Sequence, residues 1–184
     1  VRFSAFSAAD AGYLVEHRIF CDCVELHNNS SQPVDLSGYI LSDNPGNDKY
    51  IFPENTVIAA GGYLTVFCTD QVSDPKVAPF GLSRLREETL VLKNRQGQIV
   101  ELLRTYPNEN MAMAITADGQ WEATDLVTPG FENTPQGRSL FLLSSGTDVG
   151  GIRISEVMAA DQLLLKDSFD RFPDWVELYN TLDY

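Results

Sequence analysis

The sequence predicts an all-β protein, a sandwich or barrel in which two mainly antiparallel sheets pack face to face. Two observations carry this prediction. Short runs rich in β-branched and aromatic residues, many alternating apolar with polar, recur along the chain: "CVELHN", "VDLSGYILSD", "YIFP", "GYLTVFCTD", "ETLVLKN" and "QIVELLRTY". Between them stand turn-forming stretches, "NNSSQP", "NPGND", "AAGG", "NRQGQ" and "YPNEN". No segment carries a capped apolar stripe of helical period over ten or more residues, so no helix is predicted beyond a turn within "LSRLREETLVL".

Taken in order, each run has a local reason for its structure. "CVELHN" and "GYLTVFCTD" are apolar at alternate positions, the pattern of strands with one face on a core. In "VDLSGY", Asp35 and Ser37 are short polar side chains suited to bonding nearby backbone, and Gly38 tolerates a kink or bulge. Gly61 and Gly62 read as a hairpin turn or a turn leading into a strand. "LKNRQGQIVEL" is the clearest hairpin, with Asn94 to Gln98 closing strands that place Leu90 and Leu92 near Ile99 and Leu102. The predicted core is Leu26, Leu36, Tyr39, Leu41, Phe52, Leu64, Val66, Leu90, Leu92 and Leu102. Tyr39, Tyr50, Phe52, Tyr63 and Phe67 are predicted mostly to fill that core. Whichever of Tyr50 and Phe52 faces away from Leu41 is the exception, free to serve a binding face.

The chain repeats itself. "VRFSAFSAAD" at its start aligns with "IRISEVMAAD" at residues 152 to 161 with five identities in ten, and "DCVELHN" aligns with "DWVELYN" with five in seven. A repeat of this length signals duplicated domains rather than a solenoid, whose unit is roughly 20 to 50 residues. The predicted organisation is a first domain at 1–137, a linker at 138–151 that ends in the Gly/Ser-rich "SSGTDVGG", and the beginning of a second copy at 152–184. Two strands alone are marginal in water. The strands of 152–184 are therefore expected to pack on the first domain or to exchange with another chain.

Charge narrows the function. With 26 acidic and 13 basic residues the formal charge is −13, which repels phosphate backbones and anionic lipid. Arg84, Arg86, Lys93, Arg95 and Arg104 fall in one stretch, but they alternate with apolar residues and read as the solvated face of a sheet. No run approaches the roughly 20 apolar residues of a membrane helix. The chain opens on Val1 without a basic-then-apolar leader, as expected of a processed or excised segment.

Cys21, Cys23 and Cys68 are odd in number, and Cys21 and Cys23 lie too close in sequence for an easy disulfide. With His17 and His27 they lack the spacing of a zinc site, and they read as small buried hydrophobes of undetermined redox state. Asp167, Asp170 and Asp174 form the best carboxylate cluster for calcium, but they lack a calcium loop's alternate spacing and central Gly and read as a solvated acidic loop. The overlapping sequons at Asn28 and Asn29 read as chance. Glycine-flanked nucleophiles, zincin motifs and phosphate loops are missing, so no catalytic residue, cofactor or metal site is predicted.

"CVELHNNSSQPVDLSGYILSDN", "YIFPENTVIAAGGYLTVFCTD", "LSRLREETLVLKNRQGQIVELLRTYP" and "DGQWEATDLVTPGFENTP" together resemble the lamin-tail domain as it occurs in bacterial surface and secreted proteins. The resemblance spans nearly all of residues 1–135 in the expected order, and "ISEVMAAD" and "PDWVELYN" look like the start of a second copy. It implies an immunoglobulin-like β-sandwich without catalysis. The expected function is a non-enzymatic extracellular or cell-surface binding and scaffolding module of a larger protein, its ligand a protein or a carbohydrate. The alternative is an accessory domain of a larger enzyme of kinase-like spore-coat, nuclease or phosphatase type. One departure stands out: where the pattern and the second copy have Trp175, the first copy has Cys23.

Overall fold

The structure is a computed structural model. It describes residues 1–14, 19–108, 111–116, 118–125, 128–145, 152–158, 166–167 and 171–180. Thirteen strands and one helix are described: β1 (Arg2–Leu14), β2 (Ile19–His27), β3 (Val34–Asp35), β4 (Ile40–Ser42), β5 (Tyr50–Ile51), β6 (Val57–Ile58), β7 (Tyr63–Cys68), β8 (Glu88–Lys93), β9 (Ile99–Thr105), β10 (Ala112–Ile115), β11 (Trp121–Thr124), α1 (Pro135–Ser145), β12 (Ile152–Met158) and β13 (Trp175–Asn180). The chain divides into two compact units, Val1–Phe141 and Leu142–Tyr184, the division falling within α1.

In the first unit a five-stranded sheet runs β11-β10-β1-β2-β7 and a four-stranded sheet runs β5-β4-β8-β9, with β3 and β6 as a separate pair. All pairings between named strands are antiparallel. Period-2 alternation explains how the sheets meet. Phe3, Phe6, Val24, Leu26 and Val66 from one sheet and Leu41, Tyr50, Leu90 and Leu92 from the other form a single apolar cluster. Each such side chain contributes about 1.5–3 kcal/mol on burial, so the facing layers hold the sandwich together. An all-β sandwich is thus what the alternation predicted.

Three sequence expectations are corrected by the packing. Leu102 is 40% exposed instead of core. A one-residue bulge between Leu92 and Lys93 pairs Leu90 with Leu103 and Leu92 with Glu101, so Leu103 turns inward and Leu102 outward. Tyr50 and Phe52 both face inward, ring against ring at 5.1 Å, and Ile51 between them points out. Lys93 is buried instead of solvated, its Nζ donating to Pro45 O at 2.8 Å and paired with Asp48 Oδ1 at 2.5 Å.

The stretch from 138, expected to be linker, begins as helix. Thr134 caps it, its Oγ1 accepting from Gly137 N at 3.0 Å and its carbonyl from Arg138 N at 2.9 Å, and Pro135 occupies the first helical position. Gly137 is required there, because a Cβ would lie 1.9 Å from Glu132 O.

In the second unit β12 and β13 form a two-stranded sheet. Their register reproduces β1–β2 residue for residue. Phe3↔Leu26, Ala5↔Glu25, Phe6↔Val24 and Ser7↔Cys23 in the first unit correspond to Ile154↔Leu178, Glu156↔Glu177, Val157↔Val176 and Met158↔Trp175. The register shift at Ser4, between Phe3 and Ala5, recurs between Ile154 and Glu156.

Candidate functional site

Strand β2 carries the repeated motif "DCVELHN", and its polar residues are spent on backbone. Val24 and Leu26 face the core and are fully buried. Asp22 Oδ2 accepts from Leu82 N at 2.7 Å, fixing the segment before β8, where Gly81 lies against the same carboxylate. Glu25 lies on the opposite face of the sheet from Val24, beneath the "TPGFEN" segment. It accepts from Ser4 Oγ at 2.8 Å, Thr65 Oγ1 at 3.3 Å and Gly130 N at 2.7 Å. The bulge that leaves Ser4 out of register is where the hydroxyl reaches Glu25. Asn133 Nδ2 donates to Ser4 O at 3.0 Å and Thr128 Oγ1 to Asn133 Oδ1 at 2.9 Å, which clamps the segment down.

Asn28 is completely buried. Its Nδ2 lies 2.8 Å from Gln32 O, 3.1 Å from Ile58 O and 3.0 Å from Ala59 O, and its Oδ1 accepts from Ser30 N and Ser30 Oγ. β2 and the Asn28 that follows it therefore anchor four segments, around Ser30, Ile58, Leu82 and Gly130. Burial raises the Glu25 carboxyl above its ordinary value, against the bonds from Gly130, Ser4 and Thr65, so its ionised form is costly to hold.

The cysteines are free thiols, Cys21 and Cys68 buried and Cys23 half-buried. Burial, reinforced by Glu25, pushes the Cys23 thiol up to about 12, and burial also raises Cys68. Cys23 and Cys68 are thus held as thiols, the weakly nucleophilic form. His27 stacks on Tyr63 at 4.3 Å and burial lowers its pKa, whereas His17 lies outside the described residues. Among the described residues no group of three His, Cys, Asp or Glu is placed to hold a metal. Asp167 instead binds Arg171, at 2.9 Å to Nη2 and 3.1 Å to Nε, while Asp170 lies outside the described residues.

Asp35 and Ser37 form the turn their residue types predict. Asp35 Oδ1 accepts from Ser37 N at 2.8 Å, Gly38 has φ +72°, and Arg95 bridges Ser37 O and Asp35 Oδ2. The Ser37 hydroxyl, which also donates to Asp35 Oδ1, then the Ser37 amide and Arg95 hold the Asp35 carboxyl down at about 2. Gly62 completes the turn leading into β7, its N–H donating to Ala59 O at 2.9 Å; the preceding strand β6 pairs with β3, so this is not a hairpin.

What remains free is a surface. On the outer side of the β5-β4-β8-β9 sheet, Ile51 is 62% exposed, Ile99 52% and Leu102 40%, with Val100 at the bulge; across the sheet the half-buried Ile40 lies beside Ile51, and Lys93 stands between Ile40 and Ile99. The 43–49 loop screens the same face around Ser42 and Val91, held by Ser42 Oγ to Asn47 O at 2.6 Å and by Lys93 to Asp48. Among the described residues β9 is an edge strand of this sheet, and the patch lies beside that edge. Residue-type alternation alone missed it, because the bulge reversed which residues of β9 face out.

A sandwich of two antiparallel sheets whose polar strand residues hold loops and whose exposed feature is an apolar sheet face defines an immunoglobulin-like domain. The Lamin Tail Domain family matches residues 5–107, over half of the chain, and the chain belongs to that family. No curated protein matches it. β10, β11 and the "TPGFEN" segment lie beyond the matched residues and yet complete the same unit, β10 pairing directly with β1. No described helix is long and apolar enough to cross a membrane.

Proposed function

We propose that the protein is an extracellular or cell-surface binding and scaffolding module of a larger bacterial protein, and that it recognises a protein partner through the outer face and edge of the β5-β4-β8-β9 sheet. The carrying observation is the cluster of exposed Ile51, Ile99, Val100 and Leu102 on a rigid sheet that ends in an open edge. Its exposed side chains are aliphatic, set around the buried Lys93–Asp48 pair. Such a surface favours an apolar protein contact over a sugar, whose recognition leans on polar groups and stacked rings. The formal charge of −13 favours a neutral or cationic partner over nucleic acid. The matching register of β1–β2 and β12–β13 supports the reading of 152–184 as the start of a second copy of the domain.

The test compares binding of the labelled protein and of an Ile99→Lys/Leu102→Lys variant to intact cells of the source organism, with thermal melting as the control for folding. Loss of binding at unchanged melting temperature supports the reading, and equal binding rejects this face. Fractionation that finds the native protein solely in the cytoplasm rejects the extracellular assignment.

A further inference from the structure

Of the basic residues Arg84, Arg86, Lys93, Arg95 and Arg104, the fold uses three for its own structure. Arg84 Nε donates to Ala8 O at 2.8 Å, Lys93 is buried with Asp48, and Arg95 bridges Ser37 O and Asp35. Arg86 is exposed in the loop before β8. Arg104 is exposed on β9, and among the described residues it takes part in no hydrogen bond or ion pair. The bulge sets where it points. Glu101, which accepts from Phe3 N, and Leu103, which packs on the core, turn inward, so Leu102 and Arg104 turn outward. Tyr106 comes next and is 70% exposed; Pro107 keeps it extended, so the alternation carries past the end of the strand. The outer column of β9 therefore reads Leu102, Arg104, Tyr106, its members about 6.6 Å apart along the chain. Across the ladder Arg104 faces Thr89, a neutral side chain.

In water the guanidinium is satisfied by solvent. A partner that covers Ile99 and Leu102 also takes water from Arg104 on the same face, and a desolvated charge without a counter-charge is costly. Arg and Tyr are also the residue types enriched where protein interfaces are tightest. We infer that the partner of this face brings a side-chain carboxylate to Arg104, next to the apolar residues that cover Ile99 and Leu102, with Tyr106 bounding the site on its far side. The planar fork of a guanidinium takes both oxygens of one carboxylate. A phosphate carries nearly twice the charge, and the excess would face a chain of formal charge −13. The two scales of charge are compatible. At long range −13 favours a neutral or basic partner, while at contact, inside the Debye length of roughly 8 Å in physiological salt, Arg104 selects one acidic residue. This deepens the reading of the outer face as a protein-binding surface and rests on it.

The probe is a display library of random peptides selected on the full chain. Selected peptides are synthesised and titrated against wild type, Arg104→Gln and the Ile99→Lys/Leu102→Lys variant, with thermal melting as the control for folding. The expected result is a set of peptides in which Asp or Glu stands next to aliphatic residues, bound at least about tenfold more weakly by Arg104→Gln. Replacing that acid by its amide should weaken binding to wild type by a similar factor and binding to Arg104→Gln hardly at all, the coupling expected of a direct pair. A selection that yields no binder overturns the inference. So do peptides without an acid, including the basic ones that bulk charge alone would select, and peptides to which Arg104→Gln makes no difference. Among these, peptides that lose binding to Ile99→Lys/Leu102→Lys leave the proposed face standing, and peptides indifferent to both variants reject the face as well.

Discussion

Replacing Glu25 separates the two things that residue does. Its carboxylate receives Gly130 N at 2.7 Å and Ser4 Oγ at 2.8 Å, with Thr65 Oγ1 at 3.3 Å, all beneath the "TPGFEN" segment. Glu25→Ala leaves a buried amide and hydroxyl without their acceptor. Hydrogen bonds to a charged group are worth about 1.5–3 kcal/mol and an orphaned buried donor costs about 1–3 kcal/mol, contributions that overlap, so a loss of roughly 2–4 kcal/mol is expected. Glu25→Gln behaves differently. Its amide oxygen can accept from Gly130 N, and its NH2 can meet Ser4 Oγ once that hydroxyl turns to accept. The pH dependence follows from the raised folded-state pKa. The stability this carboxyl contributes is fully present below its unfolded value near 4 and declines as pH rises through the folded one. Wild type should therefore lose stability relative to Glu25→Gln above about pH 4. Urea titrations at intervals from pH 4 to 8, read as midpoints at constant slope, check this. A Glu25→Ala cost below about 0.5 kcal/mol, or a wild-type/Gln difference that stays flat with pH, would refute the clamp and its buried charge.

Three further outcomes follow from the same geometry. Asn28→Ala should cost about 2–4 kcal/mol by urea unfolding, since three carbonyls and Ser30 lose their partner, and Asn28→Asp at neutral pH should cost more, because it sets a carboxylate against those carbonyl oxygens. Leu102→Lys should change stability by no more than about 0.5 kcal/mol while Leu103→Lys costs several times that, and the reverse order would disprove the bulge register. In the folded protein at pH 8, thiol titration with a chromogenic disulfide should find the cysteines slow to react, and all three should react on unfolding in guanidinium.

The sequence was most legible where one residue's chemistry decides one local outcome. Asp35, Ser37 and Gly38 announced their turn, and alternation in "CVELHN" and "GYLTVFCTD" placed Leu26 and Val66 in the core. It was least legible where a single extra residue changes the phase. Nothing in "QIVELLRTY" states that a bulge precedes Glu101, and so Leu102 and Leu103 exchange faces. The helix at 135 did carry a signal, the pair Thr134-Pro135 at cap and first position, which the search for a long apolar stripe passed over. Glu25 was opaque for another reason. Its burial depends on residues about a hundred positions away, a contact that no local pattern encodes. The apolar patch around Ile99 and Leu102 was hidden by the same bulge.

The clamp that joins Glu25 and Ser4 to Gly130 and Asn133 also sets an order in time. During synthesis the clamp cannot form until Asn133 has left the ribosome, and the look-alike strand at Ile152 follows 19 residues later by the numbering. At 5–20 residues per second that interval is roughly 1–4 s. The helix and its following stretch thus give the clamp a head start, since Asn133 can reach Ser4 before the look-alike strand at Ile152 emerges. Shortening the stretch between Asn133 and Ile152 would narrow that head start without touching a contact of the finished sandwich's core.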